Sequence, residues 1–307
     1  MTVPDAPPAA LWRRIAGVLG AVAVSASAFA ILQHKVWVDF LAVAEQVGSS
    51  RLGWLAVAVL LVPVQVVLAA ERWRMCSAEL GLPLDRRAAA QEFGLGMALN
   101  QILPGGVGGD VVRVWRQRRR GWIVATRAAV ADRMVGWVVL AATAAAGLLA
   151  WTPLTGTPAP EGALPAAASV AALGLAVIAL PKGIFGIGTL SSDARSLLFA
   201  RPLELVGLSL ALTVSILASF GACALAVDGQ PGGWLLTAGP VALLAMSIPL
   251  SFAGWGLREA SLVPLLAMLG WSPETALATS VLAGITLFIG ALPGLLVLWL
   301  SPAKPET

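Results

Sequence analysis

The chain has 307 residues, of which 58% are hydrophobic and 12% charged, and its formal net charge is +4. A soluble protein carries about 25% charged residues, so a soluble globular domain is excluded and a polytopic membrane protein is expected. Two cysteines and a single histidine, His34, argue against a disulfide framework, a histidine-rich metal site and histidine-based catalysis.

Residues 1–11 contain Pro4, Pro7 and Pro8 and read as a disordered tail. Arg13 and Arg14 then precede an apolar run, Ile15 to Leu32, long enough to cross a membrane. Ala26, Ser27 and Ala28 form an A-x-A-like site within it, so it is either an uncleaved first helix or a signal peptide; the apolar run continues past that site, which favours the helix. From Gln33 to Arg51 the sequence is mixed polar, with Trp37 and Trp54 where aromatic rings prefer the membrane edge. Leu52 to Ala70 is a second span, and Glu71, Arg72 and Arg74 mark its end in a basic segment.

Ala88 to Leu103 is shorter than the roughly 20 residues a comfortable span needs, and arginines flank it on both sides. It reads as the first half of a hairpin that enters and leaves by one face. Gly121 to Trp151 is a third span, with Asp132 and Arg133 inside it. Thr152 to Pro165 reads as an external loop, Ala166 to Leu180 as a fourth span returning to Lys182, and the stretch on to Arg201 as an interfacial or loop segment. Leu203 to Val227 is a fifth span, Asp228 to Pro231 a turn, and Ala276 to Leu300 a last span.

Eleven arginines lie between Arg72 and Arg133, whereas Thr152–Ala163 and Asp228–Gly233 contain none. That bias is the positive-inside pattern and sets both termini in the cytoplasm, with a bacterial-type cytoplasmic (inner) membrane as the expected location. Because these arginines flank spans, they are read as anchors and not as a nucleic-acid surface. Arg116, Arg118, Arg119 and Arg120 in particular read as a solvated basic anchor that attracts anionic lipid at the cytoplasmic face.

The chain is organised around Leu99 to Arg120, LNQILPGGVGGDVVRVWRQRRR. The apolar helix breaks at Pro104, passes Gly105, Gly106, Gly108 and Gly109, and reaches Asp110 and Arg113. A second break follows Pro249 in IPLSFAGWGLREA, passing Gly254 and Gly256 to Arg258 and Glu259. In each copy the arginine stands nine positions after the proline. The loop charges orient the two hairpins oppositely, and paired Gly/Pro-interrupted segments in inverted repeats mark a transporter's substrate site. Chance is the plain alternative, since Gly and Pro are common in membrane helices.

Helices starting after these breaks, near Asp110 and near Leu257, present unpaired backbone N–H groups and a positive dipole end, which suits a phosphate. Arg113 and Arg258, about one turn in, add fixed charge with two-pronged geometry, and the expected seat for the phosphate lies between them. Asp110 and Glu259 orient the arginines, meet a cationic headgroup or carry a proton; ion pairs that merely hold the hairpins together are the structural alternative. Asn100 and Gln101 are either headgroup ligands or partners of the broken backbone. Asp132 and Arg133, adjacent on a helix, point about 100° apart, so one of them faces the first hairpin.

Four stretches, ERWR at Glu71–Arg74, NQILPGGVGGDVVR at Asn100–Arg113, Asp132 with Arg133, and PLSFAGWGLREA at Pro249–Ala260, together resemble the flippase-like family typified by the lysylphosphatidylglycerol synthase transmembrane region. The family usually has Glu where this chain has Asp132, and a small or aliphatic residue where it has Trp255. The resemblance implies movement of a polar-headed lipid between leaflets, with cargoes such as aminoacylated phosphatidylglycerol and polyprenyl-linked sugars. Lipid-aminoacylating members carry a soluble catalytic domain after the membrane region. Since this sequence ends at Thr307, no aminoacylation by the chain itself is expected.

The expected architecture is all-α, a single transmembrane domain over 1–307. It has about six spanning helices and two oppositely oriented re-entrant hairpins, at 88–120 (with the basic segment) and 234–270. The expected function is a lipid flippase or scramblase rather than an enzyme, without cofactor or metal. PGGVGGD lacks the Lys-Ser/Thr ending of a nucleotide-binding loop. Two alternatives stay open: a lipid-modifying transferase using Asp110 with Asp132, and a noncatalytic partner of a separately encoded synthase or glycosyltransferase.

Overall fold

A computed structural model describes residues 38–103, 106–179, 187–248, 251 and 253–300, together with 20, 22–24, 26, 27 and 30. The expected first span lies largely outside them, as do Pro104, Gly105 and Pro249. Every regular element among the described residues is helical.

A short helix, α1 (Phe40–Gly48), starts at Asp39, whose carboxylate accepts from the Leu41 and Ala42 amides. Next come α2 (Leu52–Glu79), α3 (Arg86–Ile102), α4 (Gly108–Gln117) and α5 (Trp122–Leu149). They are followed by α6 (Ala163–Ala179), α7 (Ile187–Ala200) and α8 (Pro202–Ala226). The series closes with α9 (Ala238–Ser247), α10 (Leu257–Ala267) and α11 (Pro273–Ala291).

Four helical stretches among the described residues are long and apolar enough to cross a membrane: Leu52–Glu79, Trp122–Leu149, Pro202–Ala226 and Pro273–Leu296. They match four of the six expected spans. The remaining described one, α6, has 17 residues, about 25 Å of helix against a hydrocarbon core of about 30 Å. The segment expected to be interfacial or loop contains a full helix, α7. Its Asp193 is buried and ion-paired at 2.7 Å with Arg127 of α5, while Ala194 and Leu197 join a small cluster with Cys76, Val135 and Leu205. A buried anchor on one face is enough to dock that helix.

Each Gly-rich break folds the chain back, so that α3 packs on α4 and α9 on α10. At the first break α4 approaches until a Cβ added to Gly109 would lie 1.8 Å from the Gly96 carbonyl oxygen, a contact that any side chain at Gly109 would prevent. The second break is longer. Ala253, Gly254 and Gly256 all have positive φ, and α10 begins only at Leu257. Arg258 is therefore the second residue of its helix, while Arg113 is the sixth of α4; the expected placement of both arginines about one turn in holds only for the first copy.

The packing leaves an interval between two apolar regions. A large cluster gathers Ala58, Leu148, Leu217 and Trp234, and smaller ones gather Ala70 with Trp73 and Cys76 with Leu205. Along α2, α5 and α8 alike, the residues between these clusters line a cavity.

Candidate functional site: a cavity with a charged end

The cavity has a volume of about 320 Å³. Gln65, Ala69 and Arg72 reach it from α2, and Gly96, Asn100 and Gln101 from α3. Gly106, Asp110 and Arg113 come from the first hairpin, and Asp132, Arg133 and Trp137 from α5. Ser209, Leu212 and Ile216 of α8 and Leu243, Met246 and Leu287 complete the walls. One end is charged and the rest largely apolar.

Asp110 is the hub of the charged end. It accepts from Arg113 Nη2 at 2.9 Å, one turn along α4, and its other oxygen accepts from Arg133 Nη1. Arg133 is therefore the member of the Asp132–Arg133 pair that faces the first hairpin. Asp132 turns away and accepts from Arg72 Nε at 2.8 Å, and Arg72 also donates to Ser209 Oγ at 3.2 Å. Gly136 of α5 leaves room for Arg72 in this position: a Cβ there would lie 2.8 Å from the guanidinium.

The three cavity arginines differ in freedom. Arg113 is 4% exposed and lies over the Trp73 and Phe93 rings, 4.4 and 4.7 Å from their centroids. Its Nε, fully buried, has no hydrogen-bond partner. Arg72 is likewise buried within its pair. Arg133 keeps 30% of its side chain exposed and Asp110 keeps 27%, so their ion pair is the one that a ligand can reach.

Asn100 performs the backbone task among its two expected roles: its Oδ1 accepts from the Gly109 amide at 2.7 Å, closing one of the orphan donors at the start of α4. It also lines the cavity, as do Gln101 and Gly106. Gly108 and Gly109 shape the hairpin and do not line it. Gly105 lies outside the described residues.

At the second hairpin the structure departs from the expected symmetry. Arg258 and Glu259 are 1% and 0% exposed and do not line the cavity. Arg258 Nη2 donates to Glu259 Oε1 at 2.6 Å, its Nε to Ser280 Oγ at 2.9 Å, and Ser280 to the same carboxylate at 2.8 Å. The other Glu259 oxygen accepts from the Gly256 amide at 2.6 Å. The helix start that was expected to receive an anion is thus occupied by the chain's own carboxylate. Gly254 and Gly256 make the turn and do not reach the cavity. The expected seat between Arg113 and Arg258 is not one space: Arg258, beside Ser280 of α11, lines a separate pocket of about 20 Å³ that shares Gln65, Ile216, Met246 and Leu287 with the cavity walls. Trp255 sits over the Arg258 guanidinium at 5.1 Å and is accommodated by Gly284, where a Cβ would lie 2.7 Å from its ring.

Arg116 is also not the solvated anchor expected of it. Its side chain is 8% exposed and pairs with Glu92 of α3 at 2.7 Å, tying the hairpin's two arms together. Arg118 stacks on Trp115 and Arg120 donates to the Pro83 carbonyl. Among the charged residues lining the cavity, the one that sequence reasoning left out is Arg72, assigned to a helix end; its position in ERWR was the available signal. Gln65, Phe93 and Ser209 carried none, being ordinary helix residues until the bundle brings them together. Residues 18–294 match the family model described as the lysylphosphatidylglycerol synthase TM region. No curated protein matches the chain.

Proposed function

The chain belongs to the family described as the lysylphosphatidylglycerol synthase transmembrane region, and on that premise we propose that it moves a phosphate-containing, polar-headed lipid between membrane leaflets by alternating access. The build of the cavity supports this reading: an anion-binding group of Asp110, Arg113 and Arg133 at one end, continuous with apolar walls in a membrane protein. A headgroup takes the charged end while its chains leave along the apolar side. At about 320 Å³ the space is at the lower limit of ligand pockets, enough for a headgroup and too small for a whole two-chain lipid.

The phosphate seat is assigned to Arg113 and Arg133, the first rigid and the second able to release Asp110. Both cavity carboxylates are committed to arginines, which favours binding over acid–base chemistry and a transporter over a transferase. The hairpins are read as re-entrant. Helices α4, α9 and α10, of 10, 10 and 11 residues, extend only about 15 Å each, half of the hydrocarbon core. The arginine-rich end is assigned to the cytoplasm, and rocking of one repeat against the other would expose the site to each leaflet in turn.

A leaflet-resolved assay in proteoliposomes with chemically quenchable fluorescent phospholipids tests this. Wild-type protein is expected to accelerate exchange, and Arg133→Gln to slow it at least about tenfold, the scale of one hydrogen bond between charged groups. Folded wild-type protein that moves no phospholipid and no polyprenyl-phosphate sugar would overturn the reading.

A further inference from the structure

The side chains around the cavity carry an unbalanced charge. Arg72, Arg113 and Arg133 line it against Asp110 and Asp132, a formal excess of one positive charge. Two other buried ion pairs cancel internally, Arg116 with Glu92 and Arg258 with Glu259. The start of α4, where the neutral Asn100 oxygen accepts from the Gly109 amide, adds partial positive charge at the same end.

We propose that the ligand of this site is a lipid whose headgroup carries one net negative charge on a phosphodiester, bound in preference to zwitterionic or cationic headgroups. This inference rests on the lipid-transport reading and narrows its substrate class. Unmatched charge away from water is unfavourable, and a monoanion removes it. A cationic aminoacylated headgroup would raise the excess to two, and a zwitterion would leave it unchanged.

Donor geometry points the same way. Asp110 presents two oxygens, one to each arginine, and a phosphodiester presents two non-bridging oxygens of the same kind. The lipid phosphate thus takes the seat that the carboxylate holds in its absence. Arg113 Nε, buried and without an acceptor, is the donor still to be satisfied, and the Nε–Nη2 edge of a guanidinium is suited to a two-oxygen anion. Apolar walls from Leu140, Leu212, Ile216 and Met246 favour a lipid over the free headgroup.

The test measures equilibrium binding to purified full-length protein in detergent micelles, alongside leaflet exchange in proteoliposomes. The probes are phosphatidylglycerol, phosphatidylcholine, lysyl-phosphatidylglycerol and chain-free glycerophosphoglycerol. Phosphatidylglycerol is expected to bind at least about tenfold tighter than either other lipid, again the scale of one charged hydrogen bond. Arg133→Gln, which brings the formal sum to zero, should remove that preference. Asp110→Asn, which takes away the competing carboxylate, should tighten phosphatidylglycerol binding. Glycerophosphoglycerol binding as tightly as the lipid would overturn the lipid source. Equal binding of phosphatidylcholine, or tighter binding of the cationic lipid, would overturn the charge assignment even if every lipid crosses the bilayer. Selective binding without any leaflet exchange would leave the charge assignment standing and overturn transport.

Discussion

Four of the five charged side chains of the cavity form pairs of two kinds, and the distinction predicts how each pair tolerates substitution. Arg72 and Asp132 form a pair in which both members are buried. Removing one partner leaves an unmatched charge, so Asp132→Ala is expected to lower stability by about 3–5 kcal/mol. Arg72→Met combined with Asp132→Leu should recover most of that loss, as measured by denaturation in detergent. Arg133 and Asp110 are partly exposed, and such pairs contribute about 1 kcal/mol or less. Arg133→Gln should therefore keep the melting temperature while lipid exchange falls. Glu259→Gln, which disturbs the contacts to Arg258, Ser280 and the Gly256 amide, should lower it markedly. Equal destabilisation by Arg133→Gln and Glu259→Gln would refute the division between a ligand-accessible pair and a structural one.

At the scale of elements, the first hairpin depends on Gly109, whose lack of a side chain lets its arms touch. With Gly109 pressed on the Gly96 carbonyl, a methyl group has no free rotation that would relieve the clash, because the obstacle is backbone. Gly109→Ala is expected to separate α3 from α4, pull Asp110 off Arg133 and cost about 3 kcal/mol, the upper end of the usual range for overpacked sites. Gly207→Ala in α8, where an added Cβ meets nothing within 4 Å, is the matched control and should be neutral or slightly stabilising. Thermal melts of the two variants, read beside lipid exchange, separate a hairpin effect from a general intolerance of added methyl groups. The second hairpin turns through Ala253, Gly254 and Gly256, all at positive φ, where the described residues of the first break have Gly106 alone. The two copies thus diverge in shape although their proline-to-arginine spacing is the same.

For the whole molecule, charge is distributed by end. Arg127, Arg201 and Arg120 meet Asp193, Glu79 and the Pro83 carbonyl at one end. The opposite end, with Arg51 paired to Asp228 and the 152–163 loop, is poor in basic residues. If the basic end is cytoplasmic, Arg87→Cys should label with a membrane-impermeant thiol reagent only after lysis and Glu161→Cys on intact cells. Cys76 and Cys223 are buried and should give little background. The reverse labelling pattern would invert the assigned orientation.

The all-helical membrane class, four long spans, the two breaks and the family were legible in the sequence because each rests on local information. Apolar runs of membrane length, Gly and Pro at turns, and arginine bias need no knowledge of neighbours. Adjacency on a helix was also enough to predict that Asp132 and Arg133 serve different partners. What spacing could not reveal was which charges share a space. Arg72, read as a helix end, becomes a cavity residue only when α2 lies against α5 and α8. Arg258, equivalent to Arg113 by count, is withdrawn from the cavity by a longer turn and by Ser280 of α11. Arg116 is buried because Glu92 happens to lie across the hairpin. The chemistry of the charged residues was written in the chain, but their partners lie far away in it, 137 positions for Arg72 and Ser209 and 177 for Arg51 and Asp228, and only the packing of the bundle decides such pairings.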